Sequence, residues 1–91
     1  MPHSLSAKKR VRQNERRRQQ NRTVKSRIRT AQKRFHEACD AKDLSAARDR
    51  FRLTERLLHR AANNGPIHRN TAARHISRMT KHLAEAEAAS T

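Results

Sequence analysis

Twelve basic side chains lie between positions 8 and 33: Lys8, Lys9, Arg10, Arg12, Arg16, Arg17, Arg18, Arg22, Lys25, Arg27, Arg29 and Lys33. With Arg34 they oppose a single acid, Glu15, so the first 34 residues carry +12 of the chain's formal +15. The chemistry open to such a series is the binding of a polyanion. A cation laid on a phosphate releases condensed counterions, and no base needs to be read for that gain. The interleaved Asn21 and Ser26 add neutral hydrogen-bonding groups to the same surface. This run cannot be a self-contained fold, because like charges at this density repel and no apolar side chain lies between Arg12 and Thr23. It is expected to be disordered or frayed alone and to become a long helix on nucleic acid.

A second candidate surface is Ile67-His68-Arg69-Asn70-Thr71-Ala72-Ala73-Arg74-His75-Ile76-Ser77-Arg78. His68, Arg69, Arg74, His75 and Arg78 can donate to phosphate oxygens, and a helix starting at Asn70 would favour an anion at its N-terminus. The adjacent alanines allow close approach of the backbone. An ordinary capped helix with a polar outer face explains these residues equally well.

Other chemistries find no support. His68, His75 and His82 repeat every seven residues and His36 lies three before Cys39, but neither pattern supplies a four-ligand set and no metal site is expected. The single Cys39 cannot form an intramolecular disulfide and reads as a small core residue beside Phe35. No Gly-rich phosphate loop, paired-acid motif or Ser/His/Asp arrangement occurs, so neither an enzyme nor a cofactor is expected. Without Trp or Tyr there is no aromatic platform for stacking single-stranded bases. Asn14 with Arg22, and Asn21 with Arg29, loosely resemble basic-zipper DNA readers. The seven-step register through Ala31, Ala38, Ser45 and Arg52 holds no Leu, so the zipper is missing. No apolar run approaches the ~20 residues that span a bilayer, and the basic arm lacks the apolar face of a membrane-active peptide. Its Arg-rich, acid-poor start is shared with organellar transit peptides, but it leads into the helical pattern without a break, and cytoplasm is the expected compartment.

These side chains must be positioned by helices. One Gly and two Pro leave few turns for a multistranded sheet, so the fold class is all-α. After a tail over 1–6, with Ser6 as N-cap, a long basic helix is predicted over 7–39. Val24, Ile28, Ala31, Phe35 and Ala38 form its inward stripe, with Arg22, Ser26, Arg29 and Lys33 opposite. Positions 40–43 read as a turn, with Asp43 or Ser45 capping a second helix over 44–64. Its stripe is Ala47, Phe51, Thr54, Leu58 and Ala61, and its nearly balanced charges suit a scaffold. Gly65 suits a left-handed C-cap and Pro66 stops the helix. A third helix over 70–86, capped by Asn70, turns Ala72, Ile76, Met79, Leu83 and Ala86 inward, and 87–91 are expected to fray. The reading is one domain, an antiparallel three-helix bundle with the long basic N-terminal helix projecting beyond it.

Two blocks also carry a family resemblance. Ser6–Glu15 with Asn21–Thr30, and then Gly65–Met79, resemble in order the two signatures of the bacterial small-subunit ribosomal protein S20 family. The chain departs from it at Pro66, usually aliphatic, at Arg69, usually Lys, and at Thr71 and Ile76, often Lys. The resemblance covers nearly the whole chain. It implies a three-helix bundle in the small subunit that binds 16S ribosomal RNA directly and early in assembly, bridging the RNA's 5′ domain and the long stem near its 3′ end. Other small-subunit components would be met through the RNA; neither a membrane nor a second copy of the chain is an expected partner. A DNA-compacting role is the alternative that net charge alone would permit.

Overall fold

Three helices account for residues 5–89, the part of the chain described in the computed structural model: α1 (Leu5–Asp40), α2 (Leu44–Asn64) and α3 (Arg69–Ala89). No strand occurs among the described residues. α1 starts earlier than expected. Ser6 lies inside its first turn instead of capping it. Residues 1–4 of the expected tail, and residues 90–91, lie outside the described part.

Both connections are built from helix ends. At the end of α1 the Lys42 N–H bonds the Cys39 carbonyl at 3.0 Å and the Asp43 N–H bonds the Ala38 carbonyl at 3.0 Å. This is a Schellman closure, with Lys42 held at φ 59°, where glycine would be unstrained. Asp43 then caps α2, its carboxylate accepting from the Ala46 N–H at 3.2 Å. At the far end of α2, Gly65 takes φ 100° and its N–H bonds the Ala61 carbonyl at 3.0 Å. Pro66, having no N–H, cannot make the second Schellman bond, and the Ile67 N–H reaches the same Ala61 carbonyl at 3.5 Å. The cap of α3 differs from expectation. His68 Nδ1 accepts from the Asn70 N–H at 3.1 Å, so His68 occupies the cap position and Asn70 sits in the first turn. An imidazole nitrogen on the residue before the helix reaches that N–H as a carboxamide would.

The stripes close on one another as the spacing requires. Phe35 of α1 meets Phe51 of α2 at 5.9 Å between ring centroids, while Val24 shares a cavity with Ala61 and Asn64. Pairs running in opposite order make α1 and α2 antiparallel. An Arg48–Glu87 ion pair at 3.0 Å joins the start of α2 to the end of α3, so these two are antiparallel as well. That bridge accompanies a helix that continues through Ala89, past the point where fraying was expected. Ile28, Ala31, Phe35, Cys39, Ala47, Leu58, Ala61, Ala72 and Met79 form the buried core. Thr54 is fully buried with them because its hydroxyl donates to the Arg50 carbonyl at 2.7 Å. Leu53, although large and apolar, lies off the stripe and remains exposed.

Phe35 is the pivot, wholly buried and ringed by Phe51, His36 and His82. The two imidazoles pack edge to face at 4.8 Å across the α1–α3 seam. Partial burial holds His36 below its ordinary pKa, reinforced by His82 and partly offset by Asp40. Burial, helped by the neighbouring Asp40 charge, pushes the Cys39 thiol up, which keeps it protonated and inert. Beyond this bundle α1 carries on alone. The radius of gyration is 17.8 Å, against about 12 Å for a compact chain of this length.

Candidate nucleic-acid interface

Residues 5–20 of α1 bury no side chain completely, and every cation among them is exposed. At 1.5 Å per residue they form a rod roughly 24 Å long. Its first turn holds no acid, and Lys8, Lys9 and Arg10 crowd the positive end of the helix dipole. Glu15 is the one acid on the rod, which leaves its field strongly positive and suited to an anion.

An α-helix turns about 100° per residue, which sorts the cations onto two faces flanking the apolar stripe. One face carries Arg18, Arg22, Lys25 and Arg29, interleaved with Asn14, Asn21 and Ser26. The other carries Arg16 and Arg27 with Gln20 and Thr23, and Arg17 lies at the border of both. The first face runs down α1 into a groove against α3. There Lys25, Arg29 and Gln32 stand opposite Thr71 and His75, over a floor of Ile28 and Ile67. Two blocks that are separate in sequence thus become one surface, which the helix stripes alone did not require.

Not every expected residue joins it. Arg69, Asn70, Arg74 and Arg78 are exposed on α3 but do not line the groove, and Lys33 lies further along α1. His68 is exposed too, with Nδ1 committed to capping α3. Arg12 and the cations before it sit roughly 20 Å or more up the rod from Lys25. Two lining residues were missed by sequence reasoning: Gln32, seven after Lys25, and Thr71, four before His75. Those spacings place them in the same helical rows, which is the signal that could have found them. Ile76, by contrast, packs against the core.

Among the described residues no group of three or more His, Cys, Asp or Glu side chains could hold a metal ion. No described helix is long and apolar enough to cross a membrane. The family model described as ribosomal protein S20 matches residues 2–84. The chain belongs to that family. It is 47% identical over 88 residues to the small ribosomal subunit protein bS20 of Persephonella marina, covering 97% of this chain and 96% of the relative. To the protein of the same name from Rhodopirellula baltica it is 46% identical over 79 residues, 87% of this chain and 88% of that one. The Azotobacter vinelandii protein bS20 is 43% identical over 83 residues, 91% of each chain. Membership makes the chain a structural, non-enzymatic ribosomal protein, and RNA binding is the general property of its family.

Proposed function

We propose that this protein is a constituent of the small ribosomal subunit that binds 16S ribosomal RNA directly and supports subunit assembly. The observation carrying this reading is the convergence of Lys25 and Arg29 with Thr71 and His75 on one groove, at the root of a cationic rod. A rod and a groove on one rigid body can hold two RNA segments at a set separation. The 5′ domain and the long stem near the 3′ end are the segments we assign, with other small-subunit components met through the RNA. The mode is clamping by charge and shape, since the A-form major groove is too narrow for side chains to read bases. Phosphates along Lys8–Arg22 would relieve the repulsion within the rod and so stabilise its helix. In bacteria the particle, and so the protein, is cytoplasmic.

Sucrose-gradient sedimentation of cell lysate tests the assignment. The protein is expected in the small-subunit fractions. Its absence there, together with chromosome association, would replace this reading with DNA compaction.

A further inference from the structure

Where the rod leaves the bundle, the second basic face of α1 meets the C-terminal end of α2. Val24, Leu57 and Pro66 floor a cavity of about 100 Å³ there, rimmed by Arg27, Arg60 and Asn64. It continues into a wider groove that Arg16 and Arg17 also line. This volume is well short of the ~300 Å³ at which pockets for drug-sized ligands begin, and it suits a group of about one ring. The floor is apolar, the rim is guanidinium and carboxamide, and no acid lines either space.

The helix end decides which part of a nucleotide belongs inside. A helix C-terminus carries partial negative charge, so a phosphate is disfavoured at the Asn64–Gly65 edge. Ala61 already receives two N–H groups, and Asn64, which lines the cavity, has a carbonyl with no partner within α2. Such an edge accepts hydrogen bonds from an amine. Added space at Gly65 is open as well, since nothing lies within 4 Å of where a Cβ would stand.

We infer that this cavity receives one unstacked nucleobase bearing an exocyclic amine, while Arg16 and Arg17 hold the phosphates of the same strand. The inference rests on the RNA-binding reading and adds a base-dependent contact to a surface otherwise governed by charge and shape. Arg27 and Arg60 offer guanidinium planes on which a splayed base can stack, and the Asn64 carboxamide can meet its edge.

The test uses the full chain and short RNA hairpins carrying one bulged position, occupied by cytidine, by uridine or by an abasic residue. All three share the flexible backbone of a bulge, so a difference among them reports the base. Cytidine is expected to bind about fivefold tighter than the abasic hairpin, with uridine between them. Replacing Arg60→Lys, which keeps the charge and loses the stacking plane, together with Asn64→Ala should erase the preference, leaving the base-bearing hairpins no tighter than the abasic one. Arg16→Gln should weaken all three hairpins alike. Tight binding of all three with equal affinity overturns the cavity assignment alone, and equal affinity for cytidine and uridine overturns the role of the helix-end acceptors. Failure to bind any hairpin would instead defeat the RNA-binding reading beneath it.

Discussion

From Leu5 to Gln20, α1 has no fully buried side chain; from Asn21 to Asp40 the same helix buries Ile28, Ala31, Phe35 and Cys39. Backbone geometry is continuous across the boundary, and so is the supply of arginine and lysine. What changes is the apolar stripe, which begins at Val24. From that point on the cations ride on a helix held by tertiary packing; before it the helix carries them with no fully buried side chain. The comparison teaches that charge on this chain does two kinds of work. On the bundle it is displayed by a packed scaffold, and on the rod by a helix that stands clear of the core. The acids follow the same division, because Glu15 is the single acid before Glu37.

The largest effects should separate these halves. Phe35→Ala removes a wholly buried ring at the meeting point of three helices and should cost about 3–5 kcal/mol. That is a large share of the ~5–15 kcal/mol typical of a domain, so thermal denaturation by circular dichroism should show a much lower midpoint or no cooperative transition. The triple change Arg16→Gln, Arg17→Gln and Arg18→Gln should leave the midpoint unchanged. It should instead lower affinity for small-subunit RNA about tenfold or more and flatten its salt dependence. Unchanged affinity and salt slope would mean that these arginines face solvent in the complex, and the contrast between the halves would fail.

A smaller effect sharpens the account of the helix ends. Lys42 at φ 59° and Gly65 at φ 100° occupy equivalent left-handed positions, one with a side chain and one without. Gly65→Ala should destabilise by about 1 kcal/mol through backbone strain, and Lys42→Gly should stabilise by up to about 1 kcal/mol. Opposite shifts of the melting midpoint are expected, and shifts of the same sign would show that the turns are not equivalent.

The smallest effect concerns pH. His36, beside His82 and Asp40, is held below its ordinary pKa of about 6.5 in the folded chain. The unfolded chain therefore takes up this proton first as pH falls. The stability contribution is complete above about 6.5 and is lost progressively below it, toward the lowered folded value. Midpoints measured between pH 7.5 and 5 should fall, and His36→Gln should reduce that fall. The same slope in both proteins would assign it to other groups.

Much of the fold was legible because local rules and burial agreed. The stripes Val24–Ala38, Ala47–Ala61 and Ala72–Ala86 follow helical periodicity, and the Asp43 cap and Gly65 stop follow from backbone chemistry. The misplacements were at helix starts, where Ser6 and Asn70 are good caps by type but lie inside the first turns. An N-cap depends on which residue leaves helical geometry, and a His68 ring that can reach the amide competes on equal terms. The Thr71 and Gln32 lining was harder to see, because neither carries charge and each gains meaning only from the helix opposite.

By itself the sequence determined the partner class, the all-α fold and the inward face of each helix. These follow from charge density and from periodicity, both properties of residues close together along the chain. Only the tertiary structure decided that Lys25 and Arg29 share a groove with Thr71 and His75, and that Arg60 and Asn64 rim a cavity beside Arg27. Those juxtapositions join residues more than thirty positions apart. They depend on how the helices rotate and slide as Phe35, Leu58 and Met79 find their packing, and no local pattern encodes that.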